Sequence, residues 1–343
     1  MAKDVMQLDP AVLTPYLEAN IDGFSGPIEI EKFAGGQSNP TYKLIAPSGL
    51  YVLRRQPPGT LLKSAHAVDR EFRVLRALAE SPVPVARALH LCEDRGVIGS
   101  MFYVMEYCDG RIFWDAALPD LEKTERTAVY EEMIRILADL HKVNYEAVGL
   151  ADYGKPGNYF ERQYERWTSQ YRASELRRID HMETLIGWLG QHLPEDDGRV
   201  ALVHGDYRLD NMIFRHDAPR AIAVLDWELS TLGHPYADVG YLCMQLRMPE
   251  GIGNMSGLRG KDLDALGIPD EATYVARYCE HAGVDRIDNI SFYVAFSFFR
   301  LAAIVQGVAK RAVDGNASNE NAAALGEFVE PLAGLALDAI SGK

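Results

Sequence analysis

Residues 202–214 read LVHGDYRLDNMIF, and residues 221–228 just beyond them read AIAVLDWE. Apolar runs on either side of the polar segment predict a strand that leads into a polar loop, followed by a hairpin. Asp206 and Asn211 lie five residues apart on this loop, and Asp226 comes at the far end of the hairpin. Carboxylate and amide oxygens suit Mg²⁺ better than zinc. We therefore expect an oxygen-rich site at a cleft; the alternative is a solvated, Asx-rich turn.

The composition is that of a folded, acidic chain. Of 343 residues, 35 are Lys or Arg and 49 are Asp or Glu, which gives a formal net charge of −14, and 48% are hydrophobic. A disordered chain would contain fewer apolar residues, and non-specific binding of nucleic acid would require a basic surface. The composition therefore excludes general disorder and argues against a nucleic-acid partner.

No segment predicts a membrane or secretory role. The N-terminal residues MAKDVMQLDP contain neither an apolar signal core nor a lipidation motif, so we expect a cytoplasmic chain. The most apolar run, residues 292–309, is interrupted by Arg300 and Gln306 and predicts a helix buried in a large core. The four cysteines lack C-x-x-C spacing, which is typical of buried thiols in a reducing compartment.

The order of predicted elements divides the chain. The first third alternates short strands (27–33, 42–46, 50–54, 87–92 and 100–107) with one helix at 67–80, and residues 108–110 resemble a linker. Helices are predicted at 124–143, 159–174 and 179–192, strands at 200–203, 212–215 and 221–225, and mostly helix from 236 onward. We predict an α+β fold with a small β-rich N-terminal lobe, 1–107, and a larger, mainly helical C-terminal lobe, 108–343.

Three residues of the loop carry a resemblance to a known family. His204, Asp206 and Asn211 match the H-x-D-x-x-x-x-N catalytic loop of kinases, and Asp226 stands where kinases place their metal-binding Asp. The form H-G-D-x-x-x-x-N followed by L-D-W-E resembles the aminoglycoside phosphotransferase and choline kinase superfamily. The stretches LRRQPPG (53–59), ERW (165–167) and GHPYADVG (233–240) are similar to the kinase-like domain of some larger acyl-CoA dehydrogenases. The resemblance covers about residues 28–310 and implies a bilobal, protein-kinase-like fold.

The resemblance assigns roles to this stretch. Asp206 would accept the proton of the acceptor hydroxyl, and Asn211 and Asp226 would hold Mg²⁺ against the phosphates of ATP. His204 is expected to hold the loop in place rather than to transfer a proton. Asp238 would buttress the loop through backbone hydrogen bonds, with a helix N-cap as the alternative. Glu228 either supports the metal from a distance or faces the cleft.

A Gly-rich segment between two predicted strands is a candidate phosphate-binding turn. Small residues allow backbone amides to approach phosphate closely, although a Gly-Gly pair alone is also an ordinary hairpin turn. The candidate nucleotide-binding residues of this segment are Gly35, Gly36, Ser38 and Asn39.

The next strand and helix complete the predicted nucleotide site. The resemblance places Val52 against adenine and Arg54 where most kinases carry the phosphate-binding Lys. Glu71 is the sole charge on an apolar helix stripe of Val68, Leu75 and Leu78, so Arg54 is its natural partner. The alternatives are surface arginines on an edge strand and a Glu71 that reaches solvent.

The interlobe hinge is expected at Glu106, Tyr107 and Cys108, where an extended backbone would bind the adenine edge. Further on, residues 158–174 place three arginines among aromatic side chains. This mixture predicts an anionic or CoA-like acceptor with an apolar body, or an amphipathic lid helix with solvated charges.

The resulting hypothesis is a kinase that uses ATP and Mg²⁺ to phosphorylate the hydroxyl group of a small molecule, for which a hydroxyacyl compound is one candidate. A nucleotide-binding pseudokinase acting as an interaction module is the alternative, which Arg54 keeps open. A metal-dependent phosphohydrolase is disfavoured, because the spacing of His216 and His234 matches no such site. The sequence leaves open the acceptor, the choice between ATP and GTP, and the oligomeric state.

Overall fold

The computed structural model describes residues 8–33, 39–57, 67–251, 257–315 and 324–342. Within these residues the strands, in chain order, are β1 (Glu29–Lys32), β2 (Thr41–Ala46), β3 (Gly49–Arg55), β4 (Ala88–Cys92), β5 (Phe102–Glu106), β6 (Ala201–Val203), β7 (Met212–Phe214), β8 (Ala221–Val224) and β9 (Thr231–Gly233). The helices are α1 (Pro10–Asn20), α2 (Val68–Leu78), α3 (Arg95–Ile98), α4 (Lys123–His141), α5 (Tyr159–Ser174), α6 (Asp180–Gln191), α7 (Tyr236–Arg247), α8 (Leu263–Leu266), α9 (Glu271–Ala282), α10 (Ile290–Val313) and α11 (Val329–Ser341).

The chain divides into two compact units. The first comprises Met1–Arg111, Val148–Leu150 and Asn211–Ser230, and the second comprises Ile112–Ala147, Ala151–Asp210 and Thr231–Lys343. The α+β content agrees with the prediction, but the division differs from a single boundary after residue 107. The β7–β8 hairpin groups with the first unit, because Arg111 and Phe214 exchange backbone hydrogen bonds of 2.7 and 2.8 Å. Asn211 and Asp226 therefore belong to the β-rich unit.

The first unit is built on a five-stranded antiparallel sheet in the order β1-β2-β3-β5-β4. Pro47 and Ser48 turn the chain between β2 and β3, as the sequence predicts. β3 is an interior strand, so the interpretation of its arginines as edge-strand surface charges is wrong. On β3, Arg54 pairs in register with Thr41 of β2 and Tyr103 of β5.

Helices cover both faces of this sheet. Leu53 of β3 packs in one apolar cluster with Leu13 and Leu17 of α1. On the other face, Arg54 of β3 meets Glu71 of α2. Helix α1 was not predicted from the sequence, because its two prolines interrupt the helical pattern. Asp9 caps its first turn and Pro10 takes the first helical position, where the missing N–H costs nothing.

The second unit has a core of helices. Phe160 of α5 packs edge-on against Phe292 and Phe296 of α10, with ring centroids 5.6 and 5.3 Å apart. α10 is long and apolar enough to cross a membrane by composition, yet 72% of its most apolar stretch is buried within the fold. This burial agrees with the predicted core helix. A short two-stranded sheet, β6 with β9, leads into the loop that contains Asp206.

Candidate active site

A buried carboxylate holds the loop that follows β6 in place. Asp238, in the first turn of α7, accepts hydrogen bonds from the backbone N–H groups of His204 (2.7 Å) and Gly205 (2.8 Å). Gly205 has a φ of +83°, a left-handed conformation that glycine adopts without strain. The expected buttress is confirmed, and the N-cap alternative is wrong, since Asp238 makes no cap hydrogen bond to the helix.

A second layer supports Asp238. Nε2 of His141 lies 3.2 Å from the carboxylate, and Nδ1 lies 2.7 Å from the Tyr278 hydroxyl. Because a carboxylate only accepts, His141 donates from Nε2. Burial would raise the pKa of Asp238, but the hydrogen bonds from His141 and the Gly205 amide hold it below its ordinary value of 3.8. The loop therefore rests on an ionised Asp238.

Asp206 projects from this loop and is partly exposed, with 22% of its side chain accessible. The Tyr241 hydroxyl donates to Asp206 Oδ1 at 2.6 Å, which fixes one carboxylate oxygen. Burial raises the pKa of Tyr241 well above its ordinary value, so the hydroxyl stays a donor. His204 is buried, and its Nδ1 accepts from the Asp206 amide at 3.2 Å, in keeping with a role in holding the loop.

In the first unit, Arg54 lies among three carboxylates. Its Nε is 2.9 Å from Glu71 Oε2, and its Nη2 is 2.6 Å from Asp226 Oδ1 and 3.7 Å from Glu228 Oε2. The predicted ion pair with Glu71 is confirmed. The contacts with Asp226 and Glu228 were not predicted. Three carboxylates around one guanidinium leave the cluster net negative, which favours binding of a cation.

Glu71 is the most buried member of this cluster. Its carboxylate accepts from Asn39 Nδ2 at 2.9 Å and from the Tyr103 hydroxyl at 3.1 Å, and it forms the ion pair with Arg54. Burial raises the pKa of Glu71 to about 7, against the opposing charge of Arg54, and Asp226 and Glu228 raise it further. The alternative in which Glu71 reaches solvent is wrong.

Asn211 and Asp226 are brought together by the β7–β8 hairpin. Asn211 precedes β7, and its carbonyl accepts from the Leu225 amide at 2.8 Å, next to Asp226. Asp226 has a φ of +63°, a conformation that costs a non-glycine residue about 1–2 kcal/mol and that concentrates at functional sites. Asp226 Oδ1 is held by Arg54, whereas Oδ2 makes no hydrogen bond to any described residue. Carboxylate and amide oxygens, which these two neighbouring residues carry, are ligands that Mg²⁺ prefers.

The predicted hinge begins at Glu106, the last residue of β5. The amides of Glu106 and Tyr107 donate to the carbonyls of Arg87 (3.0 Å) and Leu50 (3.3 Å). The Cys108 amide has no hydrogen-bond partner among the described residues. Val52 is buried on β3, opposite Met105 of β5. Burial raises the pKa of the Cys108 thiol to about 11, so the thiol is neutral. The extended backbone thus offers one unused donor at this point.

Comparison with known proteins identifies the family. A family model described as the phosphotransferase enzyme family matches residues 29–286, more than half of the chain. The chain belongs to this family. The phosphotransferase is 48% identical over 337 residues to acyl-CoA dehydrogenase family member 10 of Mus musculus, a match that covers 98% of the chain and 31% of that relative. The chain therefore spans about a third of the length of this relative.

Solved structures give the same family and fold. A Ralstonia eutropha protein, provisionally assigned as an aminoglycoside phosphotransferase, is 47% identical, with a TM-score of 0.89 over 98% of this chain and 99% of that one. A spectinomycin phosphotransferase solved with ADP and spectinomycin is 12% identical, with a TM-score of 0.64 over 97% and 98% of the two chains. The second match shows the fold alone. The predicted resemblance and the kinase-like α+β fold are confirmed.

Of the predicted nucleotide-binding residues in the Gly-rich segment of this phosphotransferase, the structure describes Asn39 alone. Gly35, Gly36 and Ser38 lie outside the described residues. Asn39 is fully buried, and its amide donates to Glu71 and Glu228. This neighbour of the Gly-rich segment is thus part of the carboxylate cluster.

Sequence reasoning missed two groups of this phosphotransferase. Tyr241, which donates to Asp206, lies three residues after Asp238 in the predicted helix, and helical spacing was the available signal. Arg55 is 2% exposed and donates to Ser100 Oγ and the Ile98 carbonyl, both at 2.9 Å. No sequence signal marked Arg55, because the helix that covers its face of the sheet was itself not predicted.

Proposed function

We propose that this phosphotransferase uses ATP and Mg²⁺ to transfer the γ-phosphate to a hydroxyl group of a small molecule. The proposal depends on the loop that contains Asp206. In this loop the backbone amides of the two residues before Asp206 donate to the buried, ionised Asp238. Because these hydrogen bonds fix the loop, the Asp206 carboxylate would have a fixed position from which to orient an attacking hydroxyl. The family match supports a small-molecule kinase.

In the proposed reaction, Asp206 receives the proton of the acceptor hydroxyl as the hydroxyl oxygen attacks the γ-phosphorus, the bond from the γ-phosphorus to the β,γ-bridging oxygen breaks, and ADP leaves. The Tyr241 hydroxyl donates to Oδ1 of this carboxylate and would keep it oriented for the proton transfer. Asn211 and Asp226 Oδ2 would hold Mg²⁺, which neutralises charge on the phosphate oxygens. The Cys108 amide would donate to adenine, and the Arg54 guanidinium would lie near the phosphates while it holds Asp226.

For the acceptor, we propose a hydroxyacyl compound. Support comes from the longer relative, which is named as an acyl-CoA dehydrogenase family member, and from arginine and tryptophan side chains on α5. We further propose that the protein works in the cytoplasm without a nucleic-acid or membrane partner.

Turnover of ATP with Mg²⁺ across a panel of alcohols and hydroxy acids, read as a mass gain of one phosphate, tests the proposal. Asp206→Asn is expected to lower the rate by about 10²–10⁴-fold or more and to leave nucleotide affinity within about twofold. Asp217→Asn, the same change in an exposed loop, is the control. Near wild-type turnover by Asp206→Asn would contradict the assigned base.

The metal role has its own measurement. Asp226→Asn is expected to weaken Mg²⁺-dependent ATP binding in calorimetry by at least about tenfold, because it removes the charged ligand. Unchanged affinity would count against the metal site. Nucleotide binding without turnover on any acceptor would favour the pseudokinase alternative.

A further inference from the structure

Arginines of the second unit are mostly neutralised by carboxylates, as expected in a chain with a net charge of −14. Those with a carboxylate within 4 Å include Arg135, Arg172, Arg177, Arg178, Arg199, Arg208, Arg247, Arg259, Arg277 and Arg286. Arg166 and Arg300 differ. Neither makes a hydrogen bond or an ion pair with any described residue, and Arg300 is only half-exposed.

Both arginines lie against the same indole. The guanidinium carbon of Arg166 is 5.2 Å from the ring of Trp167, and that of Arg300 is 5.7 Å from it. Trp167 is 7% exposed and is fixed by a 3.1 Å hydrogen bond from its Nε1 to Gln163. A guanidinium stacked on an aromatic face keeps its N–H edges available for a planar or tetrahedral anion.

The position of Arg300 is tied to that of Asp206. The Arg300 guanidinium also lies 5.9 Å from the ring of Tyr241, whose hydroxyl donates to Asp206. α7 and α10 approach closely here, as the distance of 2.5 Å between a Cβ placed on Gly240 and the carbonyl oxygen of Tyr293 shows. The absence of a side chain at Gly240 permits this approach. One tyrosine side chain thus separates an unneutralised cation from the carboxylate assigned as base.

We propose that Arg300, with Arg166, binds an anionic group of the acceptor, a carboxylate or a phosphate, while the acceptor hydroxyl lies at Asp206. The assignment of the ligand as acceptor rests on the proposed function; the anion site itself does not. A polycationic acceptor would be repelled by Arg300, so this subsite selects against aminoglycosides.

Residues 158–174 contain three arginines, and the two besides Arg166 form hydrogen bonds with other groups of the protein. Arg162 donates to backbone carbonyls, including that of Lys155. Arg172 binds Glu183 through both terminal nitrogens. Arg166 remains, and Arg300 joins it from a helix that the sequence predicts only as core. The expected anionic acceptor therefore depends on a pair of residues that lie far apart in the chain.

A matched series of six-carbon probes tests the site without nucleotide. Hexanoate, hexyl phosphate and 1-hexanol share one tail and differ in the head group. At least one anion is expected to bind the wild-type protein more tightly than hexanol in calorimetric titration. Arg300→Met is expected to raise its dissociation constant at least about tenfold, because a charged hydrogen bond is lost. Arg286→Met, at an exposed arginine paired with Asp288, is expected to change it less than twofold.

The tighter of the two anions identifies the head group as carboxylate or phosphate. Binding of hexanol as tight as that of both anions, or an unchanged dissociation constant in Arg300→Met, would overturn the inference. Arg300→Gln is a second neutral variant with the same expected outcome should the Met variant fail to fold. Because these titrations need no ATP, loss of the anion site and absence of phosphoryl transfer are separate results.

Discussion

The substitution Asp238→Asn tests whether the loop that contains Asp206 depends on the negative charge of the buried Asp238. The carboxylate is fully buried and accepts from two consecutive loop amides at 2.7 and 2.8 Å, and from His141 at 3.2 Å. Asparagine has one acceptor oxygen and one NH₂ group, so one loop N–H would face a donor. The loss of charge and of one buried hydrogen bond should cost about 3–5 kcal/mol in the free energy of unfolding.

Urea titration measures this cost, and a matched control separates it from helix capping. Asp270 caps α9 and accepts from the Thr273 amide at 2.8 Å. Asparagine caps helices as well as aspartate does, so Asp270→Asn should change stability by less than about 0.5 kcal/mol. Equal, small effects of the two substitutions would refute the buttress.

The pH dependence gives a second readout of the same contact. The pKa of Asp238 in the folded state lies below 3.8, its ordinary value, so its contribution to stability is present above pH 3.8. That contribution is lost as the pH falls through the folded-state pKa. The difference in the free energy of unfolding between wild type and Asp238→Asn should therefore be constant near neutral pH and should decrease in stronger acid. A difference that closed near neutral pH would contradict an ionised Asp238.

Three further substitutions test the packing around the site. Arg54→Met leaves Glu71 buried without its cation and should lower the free energy of unfolding by about 3–5 kcal/mol in urea titration; a loss below about 1 kcal/mol would show that the pair is not needed. Arg55→Met removes two buried hydrogen bonds and should cost about 2–4 kcal/mol by the same method, whereas an unchanged midpoint would contradict its buried role. Gly240→Ala would place a methyl group 2.5 Å from the Tyr293 carbonyl and should cost about 1–3 kcal/mol in thermal unfolding, and a neutral effect would argue against close packing of α7 on α10.

Local patterns predicted much of the fold. The β2–β3 hairpin and α2 are recovered within about two residues, because turn residues, alternation and helical periodicity agree there. The Arg54–Glu71 pair was predictable for the same reason, since each local pattern places one charge on an inward face. Helix α1 was not, because Pro15 within it reads as a helix breaker.

Contacts between distant parts of the chain could not be predicted. Asp226 is 172 residues from Arg54, and no local pattern reports that a guanidinium binds the residue assigned to the metal. Likewise, Arg300 reads as a polar interruption of a core helix, and only the close packing of α7 on α10 brings it to Tyr241. The sequence predicted which residues belong to the candidate site, whereas the contacts that join them depend on tertiary packing.

Arg54 gives the acidic cluster its own counter-ion. Structural metal sites fail when the metal is removed, because their ligands are left as unbalanced charges. Here one positive charge is covalently part of β3, held 2.6 Å from Asp226 and 2.9 Å from Glu71, and it offsets part of the negative charge without a metal. Exhaustive chelation should thus leave the melting temperature of the protein unchanged, and divalent ions would serve turnover alone, with no share in folding.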